Sequence, residues 1–343
     1  MLEPVEGYSG LAVLCLRKDS MRAMILAAGL GTRLRPLTLV RPKVLAPIAG
    51  VSVLDFWVTQ LYLAGFEAVV INSFHLSEAL TAEVQNRRWA IPVHVRVEPV
   101  LLGTGGGIRN VEDFFDGEPF AVINGDTICK VDWEAILAQY DRSDGPAGLL
   151  IHDCPAFNNV AVDENGHILG FGNEAFELKR ARGDIRLMAF TGIHLMRPEI
   201  LADVPPGQPG EILAIYRKLI LEGQPPRELH SPEIFWREMG SVESYKGLHA
   251  EFPRLGEGFL PPLATGRRTW IQETANIASD AVLKGYVSVG EGSRVMGGCE
   301  LENVIVWDRV CIEPGSCLCD CIITDGVAVG GIHRGEVIVN DRH

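Results

Sequence analysis

The chain has 343 residues, 47% hydrophobic and 22% charged, which is enough for two domains with sizeable cores. Its net charge of −13 argues against nucleic acid as a partner, because there is no basic surplus to offset a phosphate backbone. No apolar run reaches the length of a membrane span. The eight cysteines form no C-x-x-C pair, which argues against a zinc site. Without an export signal, we expect reduced cysteines and a cytoplasmic protein.

Residues 1–20 differ in pattern from the rest of the chain. A short apolar run, 11–16, has acidic residues before it and basic residues after it, the reverse of a secretory signal. The first buried-type strand begins at Ala23. We therefore expect residues 1–20 to be an N-terminal extension with little regular structure.

Strands and helices alternate from residue 22 to about 150. The pattern predicts strands at 23–28, 68–71, 93–97, 120–123 and 148–151, and helices at 53–64, 76–85, 108–114 and 133–140. Such alternation predicts an α/β fold with a mainly parallel sheet covered on both faces. Ligands bind at the carboxyl ends of the strands in such sheets, so the segment after residue 26, Asn72 and Asp126 should converge there.

The C-terminal part has a period of six. Aliphatic residues recur at Ile277, Leu283, Val289, Val295 and Leu301, and after a slip of one residue at Val306, Ile312 and Leu318. This period predicts a parallel β-helix, with a β-meander as the alternative. A stretch rich in Pro and Gly precedes it. The sequence therefore predicts a first domain at 21–252, a linker at 253–268 and a β-helix domain at 269–343.

A glycine-rich turn follows the first predicted strand. The sequence from Leu26 to Thr38 reads LAAGLGTRLRPLT, and Arg41-Pro42-Lys43 comes soon after. Glycines let backbone N–H groups close on an anion, and cationic side chains neutralise it. The turn therefore predicts a phosphate site, most simply for a nucleotide.

This stretch resembles the signature of the sugar-1-phosphate nucleotidyltransferases, G-x-G-T-R-[LM]-x-P-L-T followed by P-K. The matching positions are Gly29, Gly31, Thr32, Arg33, Leu34, Pro36, Leu37, Thr38, Pro42 and Lys43. The resemblance implies a Rossmann-like, GT-A-like mixed sheet that is mainly parallel, and a left-handed C-terminal β-helix. It also implies transfer of a nucleotidyl group from a nucleoside triphosphate to a sugar 1-phosphate, with release of pyrophosphate.

The resemblance assigns roles to individual residues. Arg33 and Lys43 would be catalytic, and Asp126 and Glu238 would hold Mg²⁺. The residues implied for nucleotide binding are Leu26, Ala27, Ala28, Gly29, Gly31, Thr32, Leu102, Gly103, Thr104 and Gly105, the last four in a second glycine loop around the base. Those implied for the sugar phosphate are Asn159, Glu174, Thr191 and Gly192.

The chain departs from the family pattern at two places. Glu238 stands where the family's W-x-D-[IV]-G-[TS] motif has a metal-binding aspartate. The F-x-E-K-P segment lacks its lysine at residues 171–175. Glu238 retains a carboxylate on a longer side chain, and Mg²⁺ is strict about geometry. The departure at Glu238 therefore concerns the metal site, and the glycine-rich motif keeps the family pattern.

Several alternatives stay open at this point. GTP with mannose 1-phosphate is slightly favoured over UTP- or dTTP-dependent transfer, and a non-catalytic regulatory relative that binds nucleotide-sugars is a further hypothesis. An acyltransferase is disfavoured because the β-helix has no internal histidine; His333 lies at its end. The β-helix would then serve contacts in a homo-oligomer, or regulation.

Overall fold

The structure is a computed structural model, and it describes residues 21–231 and 234–340. The expectation for residues 1–20 lies outside the described residues. The chain divides into two compact units. Of the described residues, the first unit comprises 21–29, 60–231 and 234–236, and the second comprises 30–59 and 237–340.

Strands and helices are labelled in chain order over the described residues. The strands before the β-helix are β1 (Arg22–Leu26), β2 (Pro47–Ile48), β3 (Val51–Ser52), β4 (Ala68–Ser73), β5 (Val93–Val97), β6 (Phe120–Asn124), β7 (Thr127–Lys130), β8 (Ala147–His152), β9 (Val160–Val162), β10 (Ile168–Phe171), β11 (Arg186–Met196), β12 (Arg227–Leu229) and β13 (Phe235–Glu238). The later strands are β14 (Thr269–Ile271), β15 (Asn276–Ile277), β16 (Val282–Val289), β17 (Arg294–Val295), β18 (Glu300–Val306), β19 (Cys311–Ile312), β20 (Cys317–Cys319), β21 (Ile322–Ile323), β22 (Ala328–Val329), β23 (Ile332–Arg334) and β24 (Val337–Ile338). The α-helices are α1 (Leu37–Val40), α2 (Val53–Leu63), α3 (Ser77–Asn86), α4 (Gly103–Arg109), α5 (Trp133–Arg142), α6 (Asn173–Ala181), α7 (Ile212–Leu221) and α8 (Val242–Glu251).

The first unit is built on one mixed sheet. Its main path runs β10-β9-β11-β6-β1-β4-β5, and β8 lies between β11 and β12. Strand β1 is parallel to β4 and β6, and β11 is antiparallel to β6 and β8. The core includes Met24, Val122 and Phe120, whose ring stacks on Phe115 with centroids 3.7 Å apart. The predicted α/β sheet is confirmed.

One predicted helix has the wrong start. The sequence pattern predicts it at 108–114, but α4 begins at Gly103 and is followed by a short 3-10 helix at Glu112–Phe115. Glycine disfavours a helix interior, so the run Gly105–Gly107 resembles a loop when it is taken alone. Hydrogen bonds from this run to the carbonyl of Gly210 override this propensity.

The C-terminal strands of the second unit pair in parallel from one coil to the next, as in a parallel β-helix. Val289 pairs with Val306 and Val306 with Ile323, so these coils repeat every 17 residues. Leu283 pairs with Leu301, a step of 18, which places the predicted one-residue slip between Leu301 and Val306. The aliphatic positions of the period line the core of the coils. The predicted β-helix is confirmed.

Candidate functional site

In the first unit, the carboxyl ends of β1, β4 and β6 meet. The backbone N–H of Ala27 donates to Oδ1 of Asn72 at 2.7 Å, and that of Gly125 donates to the carbonyl of Leu26 at 3.0 Å. A Cβ on Gly125 would lie 2.7 Å from that carbonyl, so only glycine allows this approach. Half-buried Asp126 follows directly. Ala27, Asn72 and Gly125 therefore meet at this edge of the sheet, as predicted for the ends of these parallel strands.

A buried carboxylate connects the two segments of the first unit that are expected to bind the nucleotide. Glu98 is only 2% exposed; its Oε1 accepts from Nδ2 of Asn72 at 2.7 Å and its Oε2 accepts from the N–H of Leu102 at 3.0 Å. Since Asn72 also binds Ala27, a continuous chain of hydrogen bonds runs from Ala27 to Leu102. Gly107 has no Cβ, and one built there would lie 2.8 Å from Asn72 and 2.9 Å from Glu98.

The second glycine segment is held from within the protein. The N–H groups of Gly105 and Gly106 donate to the carbonyl of Gly210 at 2.7 and 3.1 Å. The hydroxyl of Thr104 donates to Oε2 of Glu211 and accepts from the N–H of Ile212, both at 2.9 Å. These groups were expected to contact a base, but they already have partners in the segment before α7. A base bound here would have to be contacted by other atoms of the segment.

Two of the residues expected at the sugar phosphate lie in an irregular part of β11. Its pairing with β8 shifts register between Phe190 and His194. Gly192 has φ +83°, and a Cβ there would lie 2.5 Å from Nδ2 of Asn124. The hydroxyl of buried Thr191 donates to the carbonyl of Leu150 at 2.9 Å and accepts from Ile193. Thr191 is therefore tied to the sheet through its side chain.

The other two lie at the surface of the first unit. Asn159 is exposed, and its backbone bonds to Met188 and Gly172. Glu174 lies in the first turn of α6 and pairs with Arg217 at 2.8 Å. Arg217 of α7 thus places a guanidinium beside Glu174. Glu174 belongs to the segment that lacks the family's lysine.

In the second unit, the glycine-rich turn is shaped by Gly31. This residue is left-handed, with φ +57°, and its carbonyl accepts from the hydroxyl of Thr38 at 2.8 Å. A Cβ on Gly31 would lie 2.6 Å from Cγ2 of Thr38. The turn opens a 3-10 helix at Thr32–Leu34 in which Thr32 and Arg33 are exposed and Leu34 is buried. The local fold therefore presents Arg33 to solvent.

Arg33 and Glu238 form an ion pair within the second unit. Nη2 of Arg33 donates to Oε1 of Glu238 at 2.7 Å, with the two side chains 70% and 22% exposed. Half-buried Lys43 begins another 3-10 helix, Lys43–Leu45. Two residues with different expected roles, phosphate binding and metal binding, thus contact each other.

Groups of three or more metal-ligating side chains are absent from residues 21–231 and 234–340. Mg²⁺ in sites that handle triphosphates is usually held by one or two carboxylates, with phosphates and waters as the other ligands. Asp126 and Glu238 are hard oxygen donors of this kind. The residues present therefore fit Mg²⁺ in their chemistry.

The histidine after the Thr191–Ile193 segment is structural. His194 is buried and its Nδ1 hydrogen-bonds to the hydroxyl of Tyr216 on α7. Burial lowers the pKa of His194 to about 3, so its ring is neutral at physiological pH. It holds α7 against the sheet and is not a general base.

Sequence reasoning overlooked Glu98 and Glu211, which organise the second glycine segment. Glu98 follows strand β5 directly, at the carboxyl edge of the sheet, where a carboxylate needs a partner once it is buried, and that position is the signal that could have found it. Glu211 follows Pro209-Gly210 and precedes α7, a position that is typical of an ordinary helix start.

The chain belongs to the Nucleotidyl transferase family, whose sequence model matches residues 22–253, more than half of the chain. It is similar to mannose-1-phosphate guanylyltransferase of Mycobacterium tuberculosis, at 27% identity over 85% of this chain and 81% of that protein. It is also similar to UTP–glucose-1-phosphate uridylyltransferase of Synechocystis, at 24% identity over 88% of this chain and 87% of that protein. N-acetylmuramate alpha-1-phosphate uridylyltransferase of Caulobacter vibrioides is 30% identical over 65% of this chain and 93% of its own length. The resemblance found in the sequence is confirmed.

Within the part of the chain that the structure describes, none of the helices has both the length and the apolarity of a membrane span.

Proposed function

We propose that this enzyme transfers a nucleotidyl group from a nucleoside triphosphate to a sugar 1-phosphate, and that GTP with mannose 1-phosphate is slightly favoured. The observation that carries the proposal is the turn at Gly31, which presents Arg33 to solvent inside a sequence that matches the family motif. The similar proteins are named for transfer to a sugar 1-phosphate, which supports a sugar 1-phosphate as the acceptor here.

The reaction joins two anions. An oxygen of the sugar phosphate attacks the α-phosphorus of the triphosphate, and the bond to pyrophosphate breaks. The attacking oxygen is already ionised, so no general base is required. Catalysis then consists of bringing the reactants together, reducing their repulsion and stabilising charge on the transferring group.

The resemblance to the family assigns residues to these tasks. In the second unit, Arg33 would contact the triphosphate and the departing pyrophosphate, and Lys43 the α-phosphate or the sugar phosphate. The N–H groups of residues 29–32 would bind the leaving phosphates. In the first unit, the backbone of Leu26–Gly29 and of Leu102 and Gly103 would line the nucleotide.

Mg²⁺ is the implied cofactor. Asp126 and Glu238 are the residues proposed to hold it, and its charge would offset that of the triphosphate. Glu238 reaches Arg33 in the structure, so this carboxylate is shared between a cation of the protein and the proposed metal role.

The sugar is proposed to contact the segments around Asn159, Glu174 and Gly192. Thr191 is tied to the sheet by its hydroxyl, so its contribution would come through the position of the backbone at Gly192. The Glu174–Arg217 pair offers one acceptor and one donor group at the surface of the same unit.

A matrix of substrates tests the proposal. GTP, UTP and dTTP are each combined with mannose 1-phosphate, glucose 1-phosphate and N-acetylmuramate 1-phosphate, and pyrophosphate release is measured with Mg²⁺. We expect one pair to exceed the others in kcat/KM, with GTP and mannose 1-phosphate as the first choice. Tight binding of a nucleotide-sugar in calorimetry without turnover of any pair would contradict the proposal and indicate a non-catalytic relative.

We also propose a homo-oligomer that forms through the β-helix. Large apolar side chains are exposed on its coils, including Val282, Met296 and Ile332. Light scattering of the wild type and of a Met296→Lys, Ile332→Lys variant tests this proposal, and a monomeric wild type would contradict it.

A cytoplasmic location is part of the same proposal. Seven cysteines within the described ranges are free thiols, as is usual for proteins of reducing compartments. Cell fractionation followed by immunodetection would test it.

A further inference from the structure

Arg41 lies between the two cations to which the proposed function gives a role. It follows α1 directly, eight residues after Arg33 and two before Lys43. Its own side chain points elsewhere: it is only 20% exposed and contacts the β-helix of the same unit. A third arginine of the motif region is thus used for an internal contact.

Two aspartates from successive coils accept hydrogen bonds from this guanidinium. Nε and Nη2 of Arg41 donate to Oδ2 and Oδ1 of Asp325 at 2.5 and 2.6 Å, and Nη2 also donates to Oδ2 of Asp308 at 2.5 Å. The guanidinium carbon lies 5.3 Å from the ring centroid of Trp307. Paired, forked contacts of this kind fix the direction of an arginine as well as its position.

The β-helix holds the two aspartates in place independently of Arg41. They lie 17 residues apart, the repeat of these coils. Oδ1 of Asp325 accepts from the N–H of Asp308 at 3.0 Å, and Oδ1 of Asp308 accepts from the N–H of Glu291 at 2.8 Å. Asp308 and Asp325 are therefore held by the β-helix itself and do not depend on Arg41 for their positions.

Burial would lower the pKa of Arg41, yet the hydrogen bonds and charges of Asp325 and Asp308 raise that pKa above its ordinary value. The guanidinium is therefore charged, and its separation from the aspartates would leave desolvated charges behind. Such a contact favours one arrangement of the chain at residue 41.

Further hydrogen bonds fix the position of residues 47–50, which follow Lys43. The hydroxyl of Tyr245 donates to the carbonyl of Pro47 at 2.5 Å and accepts from Nε1 of Trp307 at 3.1 Å. The N–H of Ala49 donates to Nε2 of buried His249 at 3.2 Å, and Nε2 of Gln272 donates to the carbonyl of Gly50 at 2.6 Å. Lys43 thus lies between two fixed points, Arg41 and Pro47.

We propose that Arg41 is a positioning residue, through which Asp308 and Asp325 of the β-helix hold the Arg33–Lys43 segment in its catalytic conformation. The proposal rests on the proposed function for the roles of Arg33 and Lys43. It gives the β-helix a part in the reaction itself, in addition to any contacts between copies of the chain. Asp308 and Asp325 touch no substrate and act only through Arg41.

The test compares Arg41→Met, Arg41→Lys and Asp308→Asn with the wild type. Met removes the charge at similar length, Lys keeps the charge without the fork, and Asp308→Asn leaves both bonds to Asp325. Glu300→Gln is the matched control, because it removes an ion pair with Lys284 that lies on the β-helix alone. Two readouts are used: hydrogen exchange of peptides covering 32–46 and of the β-helix, and steady-state kinetics.

We expect Arg41→Met to speed exchange in 32–46 and not in the β-helix, and to lower kcat about 10- to 100-fold while KM changes by less than about threefold. Arg41→Lys should lie between this variant and the wild type, and Glu300→Gln should match the wild type. Should Arg41→Met fail to fold, Asp308→Asn carries the same comparison with smaller effects. The hydrogen-exchange experiment needs no substrate. It therefore shows whether Arg41 orders residues 32–46 even if the protein turns over no substrate pair.

Three results would overturn the proposal. They are unchanged exchange in 32–46, faster exchange there with wild-type kcat, and faster exchange throughout the β-helix, which would give Arg41 a role in general stability only.

Discussion

Arg33 and Glu238 contact each other at 2.7 Å, although the family motif gives one of them to phosphate and the other to metal. The contact depends on the length of the glutamate, since an aspartate at 238 would end one methylene earlier. Exposed pairs of this kind contribute about 0–1 kcal/mol to stability, so the pair can exchange partners when ligands bind. The contact thus links the arginine proposed to bind phosphate to the carboxylate proposed to bind the metal.

Glu238→Asp should lower the Mg²⁺ concentration that gives half-maximal activity. The shorter carboxylate leaves Arg33, so the metal no longer competes with a guanidinium for it. Pyrophosphate release measured across a Mg²⁺ titration tests this expectation. Glu251→Asp is the matched control, because Glu251 also pairs with an arginine, Arg237, at 2.5 Å in the same unit. A higher Mg²⁺ requirement in Glu238→Asp would contradict this expectation and show that the length of Glu238 suits the metal, whereas an unchanged requirement would argue against Glu238 as a metal ligand.

Arg33→Ala should lower kcat/KM about 100- to 1000-fold, because a cation aimed at developing charge is lost. The side chain is 70% exposed, so near-ultraviolet circular dichroism and the melting temperature should match the wild type. Arg35→Ala is the matched control: Arg35 is exposed in the same motif and has no proposed contact with substrate. Equal turnover in the two variants would contradict the role of Arg33.

Much of the fold was predictable because its signals are local and periodic. Strand β5 has the predicted bounds, and the six-residue period of Ile277 and its successors identified the β-helix together with its slip near Val306. The start of α4 was not predictable, since Gly105 and Gly106 become helical through bonds to Gly210, which is distant in the sequence. Long-range partners of this kind leave no trace in a local pattern.

The site was predictable to the level of motifs. The sequence placed Ala27, Asn72 and Asp126 at one edge of the sheet because parallel strands end together. It could not show that the Thr104 hydroxyl is bound to Glu211, that Glu238 reaches Arg33, or that Arg41 turns to the β-helix. Each of these contacts joins segments that are far apart in the sequence.

Glu98→Gln should destabilise the protein by about 1–3 kcal/mol and raise KM for the nucleoside triphosphate. Two donors, Nδ2 of Asn72 and the N–H of Leu102, point at separate oxygens of this carboxylate, and a glutamine would turn an NH₂ group toward one of them. The link between the two nucleotide segments would then open at one end. Melting temperature and steady-state kinetics measure the two effects, with Glu83→Gln as the control, since the side chain of Glu83 is 44% exposed. Wild-type KM in a destabilised Glu98→Gln would limit this carboxylate to a structural role.

The protein should lose stability as the pH falls from neutral toward 4, in part through His249. Burial lowers the pKa of this ring to about 4 from 6.5, and a hydrogen bond to the carbonyl of Tyr245 opposes the shift. The N–H of Ala49 donates to Nε2, so the neutral ring donates from Nδ1 to that carbonyl. The unfolded chain binds a proton at His249 below pH 6.5 and the folded protein does not.

The contribution of His249 is therefore complete above pH 6.5 and shrinks by as much as about 3 kcal/mol toward pH 4. Urea unfolding at a series of pH values from 7.5 to 5 gives the free energy of unfolding at each pH. The slope of this free energy against pH gives the number of protons taken up on unfolding. His249→Gln, whose Oε1 can accept from Ala49, should lower this uptake by about one proton at pH 5. His230→Gln, at an exposed site, should leave it unchanged. If the two variants show the same pH dependence, His249 does not carry the effect, and buried His194 becomes the group to replace.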